Sequence, residues 1–139
     1  MTRDEYQQYL DSFKDKNYDS VLEFWAPEFC VWVQGEMLFD SPESLKRTYS
    51  FLHGHVTEEI LVKHFLSDDD RIFMETDVRI TADKTITQED LDREGIKAIM
   101  PIEAGVAYDI PQLIHYHLEN GKLKTGVCLV SGPPKPVTQ

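Results

Sequence analysis

Cysteine is scarce in this chain, long apolar runs are missing, and positive charge is outnumbered; each shortage excludes a class of protein. The two cysteines, Cys30 and Cys128, both lie in apolar, strand-like runs. Thiols so placed read as buried and reduced, not as a disulfide framework, and they point to a reducing compartment. No stretch approaches the roughly 18 consecutive apolar residues of a membrane span. Residues 1–9 are polar and carry acids, unlike a signal peptide, so a cytoplasmic location is expected. Lysine and arginine total 14 against 25 acids, for a net charge of −11. A surface this acidic repels phosphate backbones and anionic lipid, so no nucleic-acid or membrane partner is expected. The sequence also contains no phosphate loop, nucleophile elbow, dinucleotide fingerprint or paired CxxC motif. No cofactor is therefore implied.

What is present is an ordinary globular composition, 41% hydrophobic, 28% charged and 11% aromatic over 139 residues. That length suits one domain able to bury a core without disulfide or metal staples. Thr2 and Glu5 form a capping-box pattern. Tyr6, Tyr9, Leu10 and Phe13 follow at the spacing of one apolar helix stripe. Asp19 can cap a shorter helix through Val21, Leu22 and Trp25, ended by Pro27. Residues 29–34, FCVWVQ, are β-rich, and 37–39 read as a short return strand after a turn at Gly35 and Glu36. Ser41 followed by Pro42 is a helix start. The helix it opens carries Leu45, Tyr49 and Leu52 on one face and ends near Gly54.

The period then changes to two. Residues 58–66 place Ile60, Val62, His64 and Leu66 on one strand face. Residues 71–81 place Glu75, Asp77 and Arg79 on one face and Met74, Thr76, Val78 and Ile80 on the other. Two more strands, 105–118 and 123–130, flank the hairpin signal Asn120-Gly121. Between strands lies an insertion, 82–104, whose polar centre includes a short helix over 88–94 capped by Thr87. A loop this long is a functional lid or an excursion, and a plain exposed excursion is expected. The expected organisation is one domain over 1–131 and a loose, proline-rich tail over 132–139.

Helices, a short hairpin, another helix and then long antiparallel strands give an α+β order. Three stretches carry a family resemblance: YDSVLEFWAPEFCVWVQGE, FDSPESLKRTYSFL and DIPQLIHYHLENGKLKTG. In order and spacing they resemble the SnoaL-like branch of the nuclear transport factor 2-like (NTF2-like) superfamily over most of residues 3–130. The resemblance implies a cone-shaped half-barrel, a curved antiparallel sheet closed by three N-terminal helices, with a pocket between them. It also implies a homodimer through the outer sheet face. Its members include isomerases, polyketide cyclases, dehydratases, epoxide hydrolases and proteins without catalysis, so fold does not settle function.

Candidate chemistry follows from titratable residues on the strands. His64, if its face is the core face, stands in the pocket as a general acid or base. Asp77 resembles the strand aspartate of limonene epoxide hydrolases, with Glu75 where their arginine stands; Cys128 falls where the second acid is needed and cannot serve. The position of the ketosteroid isomerase aspartate falls in Val31-Trp32-Val33, which has no carboxylate. His117 and His115 are a further acid–base option. As zinc ligands they lack a clear third partner, so no metal site is expected. His53 and His55 read as surface residues of a turn. Trp32, Tyr49, Tyr108 and Tyr116 could line a pocket for an apolar organic ligand.

Two readings follow. One is a cofactor-independent isomerase, cyclase or lyase (dehydratase) acting on an apolar substrate, with His64 and Asp77 as the leading pair and Glu75 and His117 in support. The other is a non-catalytic binding or dimerisation module, its pocket filled by its own side chains and its outer face apolar.

Overall fold

The computed structural model describes residues 1–137. The chain order is α1 (Arg3–Lys14), α2 (Tyr18–Leu22), β1 (Trp25–Val33), β2 (Glu36–Phe39), α3 (Pro42–His53), β3 (Val56–Ser67), β4 (Arg71–Ala82), α4 (Gln88–Glu94), β5 (Ala107–Glu119), β6 (Lys122–Val130) and β7 (Lys135–Pro136). The expected caps form. Thr2 accepts from the Glu5 amide, Ser41 caps α3 in a reciprocal box with Ser44, and Thr87 does the same for α4 with Asp90. Asn17, rather than Asp19, caps α2 by accepting from the Ser20 amide. The second helix ends at Leu22, and Trp25, expected within it, opens β1 instead.

The strands form one curved, unclosed sheet in the order β2-β1-β6-β5-β4-β3, with β7 beside β5. All pairings are antiparallel except β1 with β6, which is parallel. The expected closure by three N-terminal helices is incomplete, because α4 from the insertion adds a fourth helix among the described residues. The insertion is not an exposed excursion either. Ile86, Leu91 and Ile96 are buried in the core, and Ile86 bridges Ile102 to pin the base of the loop. A segment of mostly polar sequence hid three apolar anchors spaced five apart. The tail also departs from the loose segment expected over 132–139. Lys135 and Pro136 pair with Asp109 and Tyr108, and the Val137 amide donates to the Ala107 carbonyl; residues 138 and 139 lie outside the described residues.

One irregularity decides which side chains enter the cone. Strand β3 pairs Glu58, Ile60 and Val62 with Ile80, Val78 and Thr76, the inward residues of β4. The register then shifts: His64 pairs with Glu75, and Phe65 with Met74. Lys63 is the extra residue of a β-bulge, and a slip of one residue reverses the faces of all that follow. Phe65 therefore takes the inward position and joins the core. His64 and Leu66, expected to share a face with Ile60 and Val62, are exposed on the outside. Strand β4 behaves as its alternation predicts, with Met74, Thr76 and Val78 buried and Glu75, Asp77 and Arg79 outward.

Candidate functional site

Inside the cone the space is filled by aromatic rings. Tyr6, Tyr9, Phe13, Trp25, Phe29, Phe39, Tyr49 and Tyr116 are all buried there. They meet tilted or edge to face, for example Trp25 on Tyr116 at 6.0 Å and 68° and Phe13 on Tyr49 at 5.0 Å and 85°. The Tyr6 and Tyr116 hydroxyls share a hydrogen bond of 3.0 Å. Burial pushes the hydroxyls of Tyr6, Tyr9, Tyr49 and Tyr116 well above their ordinary range, so all four are neutral at physiological pH. Burial, aided by the nearby Glu58 carboxylate, raises the Cys128 thiol to about 12. A thiol held neutral in this way is a poor nucleophile.

A chain of polar groups crosses one side of this aromatic filling. His53, the last residue of α3, has a side chain only 4% exposed. Its Nδ1 lies 2.8 Å from the Tyr18 hydroxyl and its Nε2 lies 3.1 Å from Glu58 Oε1. The Tyr18 hydroxyl is also 3.2 Å from the Tyr49 carbonyl oxygen, to which it can donate. The imidazole stacks on Tyr49 at 5.1 Å and 7°, and Phe13 meets it edge-on at 5.0 Å. Packing and two hydrogen bonds thus fix the ring plane. The Glu58 charge reaches far enough inward to raise Tyr9, Tyr18, Tyr49 and Cys128. Glu58 also lines a crevice of about 110 Å³ between α1 and β3, with Gln7, Asp11, Lys14 and Glu59. The arrangement is a carboxylate at an opening, backed by a buried imidazole and a tyrosine.

The sequence-predicted residues stand elsewhere. His64 and Glu75 are cross-strand neighbours on the outer face, where they line a shallow cavity of about 470 Å³ with Phe73, Leu113, His115 and Leu129. Asp77 is outward as well and pairs with Lys63 at 3.0 Å, while its Oδ1 is buried without a partner. His117 is exposed on the same face beside His115, their ring centroids 4.5 Å apart. Among the described residues no hydrogen bond joins His64 to Asp77, and the bulge removes His64 from the pocket where it was expected. Trp32, expected to line the cavity, lies outward and is 37% exposed. Tyr49 and Tyr116 do face inward but are packed into the core. Tyr108 is half-buried, pairing with Ile80 on one side and Pro136 on the other.

Tyr18, His53 and Glu58 are not among the sequence-predicted residues, although two of them carry a signal. His53 follows Leu45 and Tyr49 at intervals of four, which places it on the buried stripe of α3 and not in a surface turn. Glu58 is in phase with Ile60 and Val62, the inward residues of its strand.

No family model and no curated protein matches the sequence. Solved structures do match its shape. A SnoaL-like polyketide cyclase from Agrobacterium tumefaciens superposes with a TM-score of 0.69 at 15% identity, covering 94% of this chain and 93% of that one. An NTF2-like protein of unknown function from Burkholderia pseudomallei gives 0.67 at 13% identity, covering 94% and 92%. The fold is that of the SnoaL-like, NTF2-like proteins. A limonene epoxide hydrolase-like enzyme from Mycobacterium tuberculosis shares this SnoaL-like shape, with a TM-score of 0.65 at 9% identity over 91% of this chain and 79% of that one. At such identities the likeness carries the SnoaL-like fold and no residue roles.

Proposed function

We propose that this chain is a homodimeric, cofactor-independent enzyme that moves protons on a small organic molecule, in an isomerisation, cyclisation or dehydration. The observation that carries this reading is the buried His53 bonded on one side to Tyr18 and on the other to Glu58, whose carboxylate borders a crevice. Glu58 is the group that takes and returns the proton, and His53 is the positioning residue that aims it. A carboxylate so oriented needs no reorganisation when it accepts a proton, and such acid–base assistance contributes about 10²–10⁴-fold to rate. The crevice is polar and holds Lys14, whose ammonium suits a developing oxyanion. Its size favours a compact polar substrate over the apolar organic ligand that the aromatic residues suggest in the sequence.

Proton abstraction can be tested without a known substrate. Small ketones and keto acids are incubated with the protein in deuterium oxide, and loss of their α-proton signals is followed by NMR. The wild type is expected to accelerate exchange, and Glu58→Gln to lose at least about 100-fold of it. Exchange no faster with wild type than with Glu58→Gln would remove the reading.

A non-catalytic binding or dimerisation module is the second reading, favoured by the aromatic filling of the cone. Both readings share the homodimer. Of the exposed large apolar residues among those described, Trp32, Leu66, Phe73, Leu113 and Leu129 all lie on the outer sheet face, and only Met100 lies elsewhere. A cluster of this kind on one face marks an interaction surface. In both readings His64, Glu75, Asp77 and His117 belong to that surface. The two cysteines are free thiols, which suits a reducing compartment such as the cytoplasm.

A further inference from the structure

We propose that self-association through the outer sheet face is controlled by pH, with His115 as the group that senses it. This rests on the homodimer reading given above. The occupant of the face is a second copy of the chain, for a reason of charge. Across β3, β4 and β5 the outward cations Lys63, Arg71 and Arg79 meet the carboxylates Glu59, Glu75, Asp77, Asp109 and Glu119, three against five, whereas the whole chain carries −11. Two copies can bring these faces together with less repulsion than their net charge of −11 each would otherwise imply.

His115 sits inside the apolar part of that face. Its ring lies flat on Phe73, centroids 4.0 Å apart and planes within 6°. It shares the cavity wall with Leu113, Val127 and Leu129, and its Nε2 is buried with no hydrogen-bond partner. A neutral imidazole tolerates such a place, but an imidazolium does not, because it must desolvate a charge and leave an N–H unpaired. The charged and titratable groups that face it are few. On β5 there is His117, on β4 Arg71 and Glu75, and on β3 His64 opposite Glu75, while its neighbours on β6 are Thr125, Val127 and Leu129. Burial, then His117 and Arg71, already hold its basicity below the ordinary histidine value. Glu75 is the one acid among these groups, and it is the cross-strand partner of His64 and Leu113 rather than of His115.

The sign follows. Covering the face with a second copy depresses the His115 pKa further, so the dimer binds fewer protons than two monomers. Association is then full above the pKa of His115 in the monomer, which burial already holds below the free histidine value, and weakens as pH falls below it, by up to about tenfold per pH unit for each histidine held neutral.

The test is sedimentation velocity on the full chain at about pH 7.5 and about pH 5.5, across a concentration series, for the wild type, His115→Phe and His115→Leu. The proposal expects a wild-type dimer whose Kd rises at least about tenfold at the lower pH, and variants whose Kd barely moves. A wild-type dimer equally tight at both pH values overturns the switch and leaves the dimer standing. An equal pH loss in both variants overturns the role of His115. A monomer at both pH values overturns the dimer reading, and the switch with it.

Discussion

Single residues set the chemistry here through what they are packed against. His53 is held by two hydrogen bonds and three ring contacts, so its imidazole has one place to be. Replacing it by phenylalanine keeps most of the stacking and removes both bonds. Glu58 is then left with a half-buried carboxylate and no donor, while the Tyr18 hydroxyl can still donate to the Tyr49 carbonyl. His53→Phe is therefore expected to lower stability by about 1–3 kcal/mol, the cost of leaving a partly buried polar group unmade. A urea unfolding series would show this as a lower midpoint at unchanged slope. A midpoint within error of the wild type would mean that the His53–Glu58 bond does not persist in solution.

At the scale of elements, most of the fold was legible in the sequence. Caps at Thr2, Ser41 and Thr87, a helix stripe at Tyr6, Tyr9, Leu10 and Phe13, and the Asn120-Gly121 turn are local signals, and each produced the element it implied. The outward face of β4 was also readable from alternation alone. What was not legible depends on partners far along the chain. The bulge at Lys63 exists only relative to β4, and nothing in the residues 58–66 marks where the pairing slips. That one slip places Phe65 rather than His64 inside the cone. The insertion failed for a similar reason. Ile86, Leu91 and Ile96 are too sparse to read as a core segment until the rest of the fold supplies the surface they cover. Leu91 is fully buried at the centre of α4. Leu91→Ala is accordingly expected to cost about 2–5 kcal/mol, as in other cores, and not the few tenths of an exposed loop. Thermal or denaturant unfolding decides between the two.

For the whole molecule, charge and shape work against each other. In the proposed dimer each copy carries −11, so two copies repel at long range even though the outer sheet faces are closer to balanced. Salt screens such repulsion over about 10 Å at 0.1 M. Dimerisation is therefore expected to tighten as ionic strength is raised at neutral pH, the reverse of an assembly held by ion pairs. Equilibrium sedimentation at low and high salt reads this directly, and a dimer that weakens with salt would point to cross-subunit ion pairs such as those available to Arg71 and Glu75.

The kink in β3 has a second consequence. This strand is the outermost of its side of the sheet, 12 residues long, and among the described residues no strand pairs with its outer edge. A flat edge of that length is a template on which another unfolding chain can add a strand, the first step towards fibrils. The extra residue breaks the even spacing of that template near its middle, and the residue inserted there is a lysine, whose charge a stacking chain would have to bury. Straightening the edge by deleting Lys63 would keep Val62 and Phe65 on the inward face and make a crowded solution of the protein prone to polymerise.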